Sequence, residues 1–118
     1  MLKKEAEQRQ AVEMLCTDML VPREHLLRKI DAAVNFARIY ELVEDLYCED
    51  NGRPSCDPVV LFKLVMIQHL FGIRSLRQTM RDAEVNVAYR WFLGYTMSQQ
   101  LPHFATISYA FRHRFTAE

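Results

Sequence analysis

The chain has 118 residues, half of them apolar, which is enough for one domain with its own core and excludes a disordered tail. Fifteen Lys/Arg against 15 Asp/Glu exclude a generically basic polyanion binder, yet residues 1–56 carry 8 against 11 and residues 72–118 carry 6 against 3. Three cysteines without a CxxC pair and four histidines without HxxxH or HExxH spacing exclude a disulfide framework and the common zinc patterns, so neither a metal nor a cofactor is expected.

Residues 1–20 read as a polar leader. Within it, residues 1–17 fit either a helix with Val12 and Leu15 on one side or a frayed segment. The opening MLKKEAEQRQ is charged and shows no signal peptide. From 21 to 118 every persuasive period is helical. Pro22 opens REHLLRKI, with Leu26, Leu27 and Ile30 on a shared face. NFARIYELVEDLY sets Phe36, Ile39, Tyr40, Val43 and Tyr47 at the spacing of a core-facing stripe. CEDNGRPSCDP, dense in Asn, Gly, Pro and Ser, is the clearest loop, and its acidic residues read as solvated.

Asp57 and Pro58 make a helix start with a mechanism, the carboxylate as N-cap and the proline at N1. Val59 to Phe71 is apolar nearly all round, the pattern of a central buried helix, with His69 satisfied on it. It also contains Lys63, Gln68 and His69 and falls well short of the ~20 residues that span a bilayer, so no membrane is expected as a partner. Gly72 suits the left-handed stop. Ser75 with Gln78 forms an S-x-x-Q capping box for the next helix, on which Leu76, Met80, Ala83 and Val87 point inward. Arg74, Arg77 and Arg81 then cluster on an outward face. Arg90 is expected to pair with a carboxylate or pack beside Trp91, and Trp91 and Phe92 to belong to the core. The last segment, LPHFATISYAFRHRF, starts a helix after Pro102 with Thr106 as N-cap. On it Ile107, Ala110, Phe111 and Phe115 share a stripe while Tyr109, Arg112 and His113 look outward.

The expected fold class is therefore all-α, a single compact helical domain with a helix-turn-helix-like core: buried helix, glycine turn, second helix with outward arginines. Two positions sit uneasily in that motif. Gln68 is bulky where a small residue is usual, and Gln78 and Arg81 fall where packing residues of the second helix are expected.

Three stretches, RKIDAAVNFARIYELVEDLY, NGRPSCDPVVLFKLVMIQHLFGIRSLRQTMRDAEVNVAYRWFLG and LPHFATISYAFRHRF, closely resemble the amino-terminal domain of bacterial insertion-sequence transposases. These are the transposases whose later domain carries a DDE carboxylate triad. The resemblance runs from about Val21 to Phe115. It implies an all-helical domain that recognises the terminal inverted repeats of its element, with double-stranded DNA as partner, a homodimer as a further expectation, and a cytoplasmic, nucleoid-associated location in a bacterium. The residues carried as DNA-binding are Arg74, Arg77, Gln78 and Arg81 on one helix, with Tyr109, Arg112 and His113 on the last. Ala105 and Ala110 stand where the family's tail commonly offers Ser, Asn or Arg. The family's chemistry needs three carboxylates on a mixed sheet to hold two divalent cations. No strand-forming region of that kind is read here, so no enzymatic activity is expected. The alternative is a helical interaction or dimerisation module whose arginines dock the catalytic domain or another subunit.

Overall fold

Asp57 and Pro58 start the helix against which three others pack. In the computed structural model, which describes the backbone of residues 1–47 and 57–114 and the side chains of 1–43 and 57–109, the helices are α1 (Leu26–Ala33), α2 (Ala37–Tyr47), α3 (Pro58–Leu70), α4 (Leu76–Val85), α5 (Val87–Leu93) and α6 (Phe104–Arg114), preceded by a short 3-10 helix at Thr17–Leu20. No strand occurs among the described residues. Most of the loop read between α2 and α3, with Cys48 and Cys56, lies outside them, as does Phe115. Cys16 is a free, exposed thiol.

α3 lies against α2, α4 and α5, and α1 packs on α5. Its start is as read: the Asp57 carboxylate accepts the Val59 N–H at 2.8 Å, with proline in the first turn. The same carboxylate accepts the Tyr40 hydroxyl at 2.8 Å. Tyr40 turns much of its ring to water rather than to the core. Its phenol, desolvated at the hydroxyl and bonded to Asp57, is pushed up to about 12. Asp57→Ala removes a cap and leaves that hydroxyl without its acceptor. The expected cost is ~1 kcal/mol, measured by urea denaturation. Asp57→Asn should recover most of it, because an amide oxygen also caps.

The apolar run of α3 hides a one-sided helix. Val60, Leu61, Leu64 and Ile67 are buried, whereas Phe62, His69 and Leu70 are exposed. His69 is therefore no core histidine; at the open end of the helix its Nδ1 lies 2.9 Å from the Val65 carbonyl. Composition could not separate the two sides, because the outer positions are apolar too.

Lys63 lies between these faces. Its ammonium sits 4.6 Å and 4.9 Å from the Phe36 and Phe92 ring centres. It donates to the Phe92 carbonyl at 2.7 Å, one of the acceptors left open at the end of α5. Burial pulls its pKa down, and the carboxylates Asp31, at 3.8 Å, and Asp57 pull it back. Phe36 meets Phe92 edge to face at 5.6 Å, so α1–α2, α3 and α5 converge on one aromatic cluster.

The turn from α3 to α4 follows the sequence. Gly72 has φ +62° and the Ile73 N–H reaches back to the Gln68 carbonyl at 2.9 Å, closing a Schellman motif. Gly94 repeats the device after α5, with φ +90° and Tyr95 N–H on Arg90 O at 2.8 Å. Ser75 caps α4 through the Gln78 N–H at 3.1 Å. The reciprocal half of the box is absent, because the Gln78 amide donates to Asp82 one turn on, at 2.9 Å.

Residues 1–16 form no helix, one of the two readings open for the leader. Four expectations are corrected. The first α-helix begins at Leu26 with His25 as cap, its Nδ1 accepting the Leu27 N–H at 3.0 Å. Leu26 itself is exposed. The helix expected to run through Val87 breaks at Asn86, whose side chain accepts the Tyr89 N–H at 3.0 Å and starts α5. α6 starts at Phe104 with His103 Nδ1 accepting the Ala105 N–H at 3.0 Å, so Thr106 lies inside the helix rather than capping it. In the first and last cases a histidine ring takes the cap role that the usual Ser/Thr/Asp/Asn rule assigns elsewhere.

The 3-10 helix before α1 is tied down by a cluster that residue spacing does not announce. The Trp91 indole N–H donates to Asp18 at 2.8 Å. Arg28 donates to the same carboxylate at 3.1 Å and to the Val21 and Pro22 carbonyls at 2.9 and 3.1 Å. Its guanidinium also lies 4.5 Å from the Trp91 ring centre. The indole hydrogen bond first, and Arg28 second, hold the Asp18 carboxyl below its ordinary 3.8. A depressed carboxyl stabilises the fold above its unfolded pKa and loses that contribution as pH falls through the folded value. Trp91 is the sole tryptophan, so its emission should shift on acid titration below pH 3.8. Asp18→Asn should remove that step, and identical titrations of parent and variant would contradict the assignment.

Candidate nucleic-acid interface

Thr79, Met80 and Ala83 turn the inner side of α4 to the core, with Leu76 partly buried beside them. That fixes what faces out. Arg74, Arg77, Gln78 and Arg81 are all exposed. Arg77 and Arg81, one turn apart, share a side of the helix, and Arg74 lies in the turn before it. None of the three arginines has a carboxylate within ion-pair distance among the described residues. The departure from a helix-turn-helix register at Gln78 and Arg81 stands: both are exposed where packing residues are expected, and Thr79 takes the inner place. Its hydroxyl is satisfied by the Ser75 carbonyl at 2.9 Å. Gln68 is half-buried.

Arg77 does not stand free. Its guanidinium carbon is 4.2 Å from the centre of the Phe104 ring, which joins the first turn of α4 to the first residue of α6. Phe104 carried no functional expectation. A signal was present only in the sense that an aromatic beside a basic helix is a ready platform for a guanidinium, and nothing in the spacing pairs residues 77 and 104. Tyr109 is exposed as expected, but five residues beyond Phe104 it lies ~140° round α6. Arg112 and His113 fall in the last turns of α6, and their side chains lie outside the described residues. The structure thus brings together Arg74, Arg77, Gln78 and Arg81, and sets Tyr109 on another side of its helix.

Arg90 differs from the other arginines. It is 6 % exposed and donates to three backbone carbonyls: Glu84 at 3.2 Å, Thr96 at 2.7 Å and Gln99 at 2.6 Å. The expected carboxylate partner is replaced by the open carbonyl end of α4 and the turn after α5, where a fork of donors serves several acceptors at once. Trp91 and Phe92 are respectively half-buried and buried. Arg90→Lys keeps the charge and loses the fork. The expected cost is ~1–3 kcal/mol, seen as a lower melting temperature; an unchanged one would show that the carbonyls find other donors.

The other exposed feature is an apolar groove between α2 and α3, bordered by Leu42, 73 % exposed, and Phe62. No three His, Cys, Asp or Glu residues stand together as a metal site among the described residues. No helix among them is long and apolar enough to cross a membrane.

The described residues thus form a helical domain with exposed arginines on and just before the helix that follows the Gly72 turn. Residues 15–114 match the family described as transposase domain (DUF772), and the chain belongs to that family. Neither the curated proteins nor the solved structures contain a match to it.

Proposed function

We propose that this domain binds double-stranded DNA and recognises the terminal inverted repeats of an insertion sequence whose transposase is of the DDE kind. One observation carries the reading: in a member of a transposase family, the outward side of α4 and the turn before it present Arg77, Arg81 and Arg74 to solvent without carboxylate partners among the described residues. In helix-turn-helix docking the first turns of the second helix enter the major groove, while neighbouring cations hold phosphates. Arg77 and Gln78 occupy those turns. Arg77 is assigned to a guanine edge or a phosphate, Gln78 to a base edge, and Arg74 and Arg81 to the backbone. Tyr109, Arg112 and His113 on α6 are assigned flanking backbone contacts.

Recognition rather than cleavage is the proposed role. Three described carboxylates are engaged within the fold: Asp57 caps α3, Asp18 holds the 3-10 helix, and Asp82 accepts from Gln78. A nicking assay with a supercoiled plasmid and Mg²⁺ should show no cleavage, and divalent-dependent nicking that survives purification would overturn this part. The DNA reading itself is tested by anisotropy titration of a labelled terminal-repeat duplex. Arg77→Ala is expected to weaken binding by about 5- to 150-fold, the equivalent of one bidentate contact. If parent and variant bind alike, the arginine face belongs to a protein partner, either the catalytic domain or a second subunit.

A further inference from the structure

Arg77 is the one outward arginine of α4 for which the structure provides a seat. An unrestrained arginine loses side-chain freedom when it binds, whereas one already stacked on a ring has lost part of it beforehand. Phe104 is partly buried, packed against the core cluster and carried by the start of α6, which His103 caps. Its ring takes the guanidinium at 4.2 Å. A guanidinium on an aromatic face satisfies its apolar plane and leaves its N–H edges in that plane for hydrogen bonds. Arg74 and Arg81 have no such ring among the described residues.

We propose that Phe104 is a positioning residue for Arg77: it pre-orients the guanidinium edge toward DNA and makes the start of α6 part of the interface without touching the nucleic acid. This rests on the DNA-binding reading of α4. The consequence is a specific coupling. Removing the ring should weaken DNA binding only while Arg77 is present.

The test is a double-mutant cycle by fluorescence anisotropy, with one labelled duplex carrying the terminal inverted repeat and one of unrelated sequence. The proteins are the parent, Phe104→Met, Phe104→Tyr, Arg77→Ala and the double variant Phe104→Met/Arg77→Ala. Methionine keeps much of the volume and the apolar packing, and circular dichroism fixes a temperature at which all are folded. If methionine is not tolerated, Phe104→Leu replaces it. Phe104→Met is expected to weaken binding about 3- to 10-fold, the freedom of one ordered side chain. Phe104→Tyr should bind as the parent, and Phe104→Met should add nothing to Arg77→Ala. A second readout is independent of DNA: the Arg77 Nε–H resonance, shifted by the ring current of Phe104, should move to the random-coil position in Phe104→Met and stay in Phe104→Tyr. Equal losses from Phe104→Met in both Arg77 backgrounds, or no loss in either while Arg77→Ala weakens binding, would overturn the positioning role and leave the DNA reading standing. Parental binding by Arg77→Ala would overturn both.

Discussion

Leu64→Ala and Ile67→Ala should each destabilise the domain by ~2–5 kcal/mol. The two side chains are fully buried on the inner side of α3, the helix against which α2, α4 and α5 pack, so truncation opens a cavity that three neighbours would have to shift to fill. Small domains have only ~5–15 kcal/mol of total stability, and a loss of this size lowers the melting temperature by about 10 °C or more. The sharper form of the prediction is a contrast within one helix. Phe62, a larger side chain two residues before Leu64, is about half exposed, and Phe62→Ala should cost less than either. Equal melting temperatures for Leu64→Ala and Phe62→Ala would contradict the one-sided burial of α3.

That contrast marks the limit of what the amino-acid sequence discloses. Asp57-Pro58, Gly72 and Ser75 are local signals, each acting through its own backbone or the next turn, and the structure places all of them as read. α3 carries apolar residues all round, so its period was silent about which side is open. Asn86 was legible in principle, since asparagine is among the best N-caps. It was masked by apolar residues that continue in helical register across it. The capping histidines His25 and His103 replace residues that the propensity rules expect. The 3-10 helix is held by Trp91 from 73 positions away, a pairing decided by packing alone. The same division holds at the interface. The exposed arginines of α4 followed from their phase against Met80 and Ala83, but the ring beneath Arg77 and the carbonyls around Arg90 are tertiary facts. Arg90 is set apart from Arg74, Arg77 and Arg81 in the sequence by its place beside Trp91, and burial completes the separation.

The separation gives the most direct test of the central claim, that the outward side of α4 is a DNA surface. Phosphates neutralised by cations release condensed counterions, so log K falls linearly with log salt with a slope near −0.9 per phosphate contact. Replacing Arg74, Arg77 and Arg81 together by alanine removes three exposed cations without touching the buried side of α4, and the fold should survive, as circular dichroism would show. Affinity for the terminal repeat should then drop by about two orders of magnitude or more, since each contact is worth ~1–3 kcal/mol. If all three touch phosphates the slope should become shallower by about 2.7, and by less if one of them reads a base instead. The measurement is an anisotropy titration of parent and triple variant against that duplex at several salt concentrations. A folded triple variant that binds with parental affinity and parental slope would contradict the account.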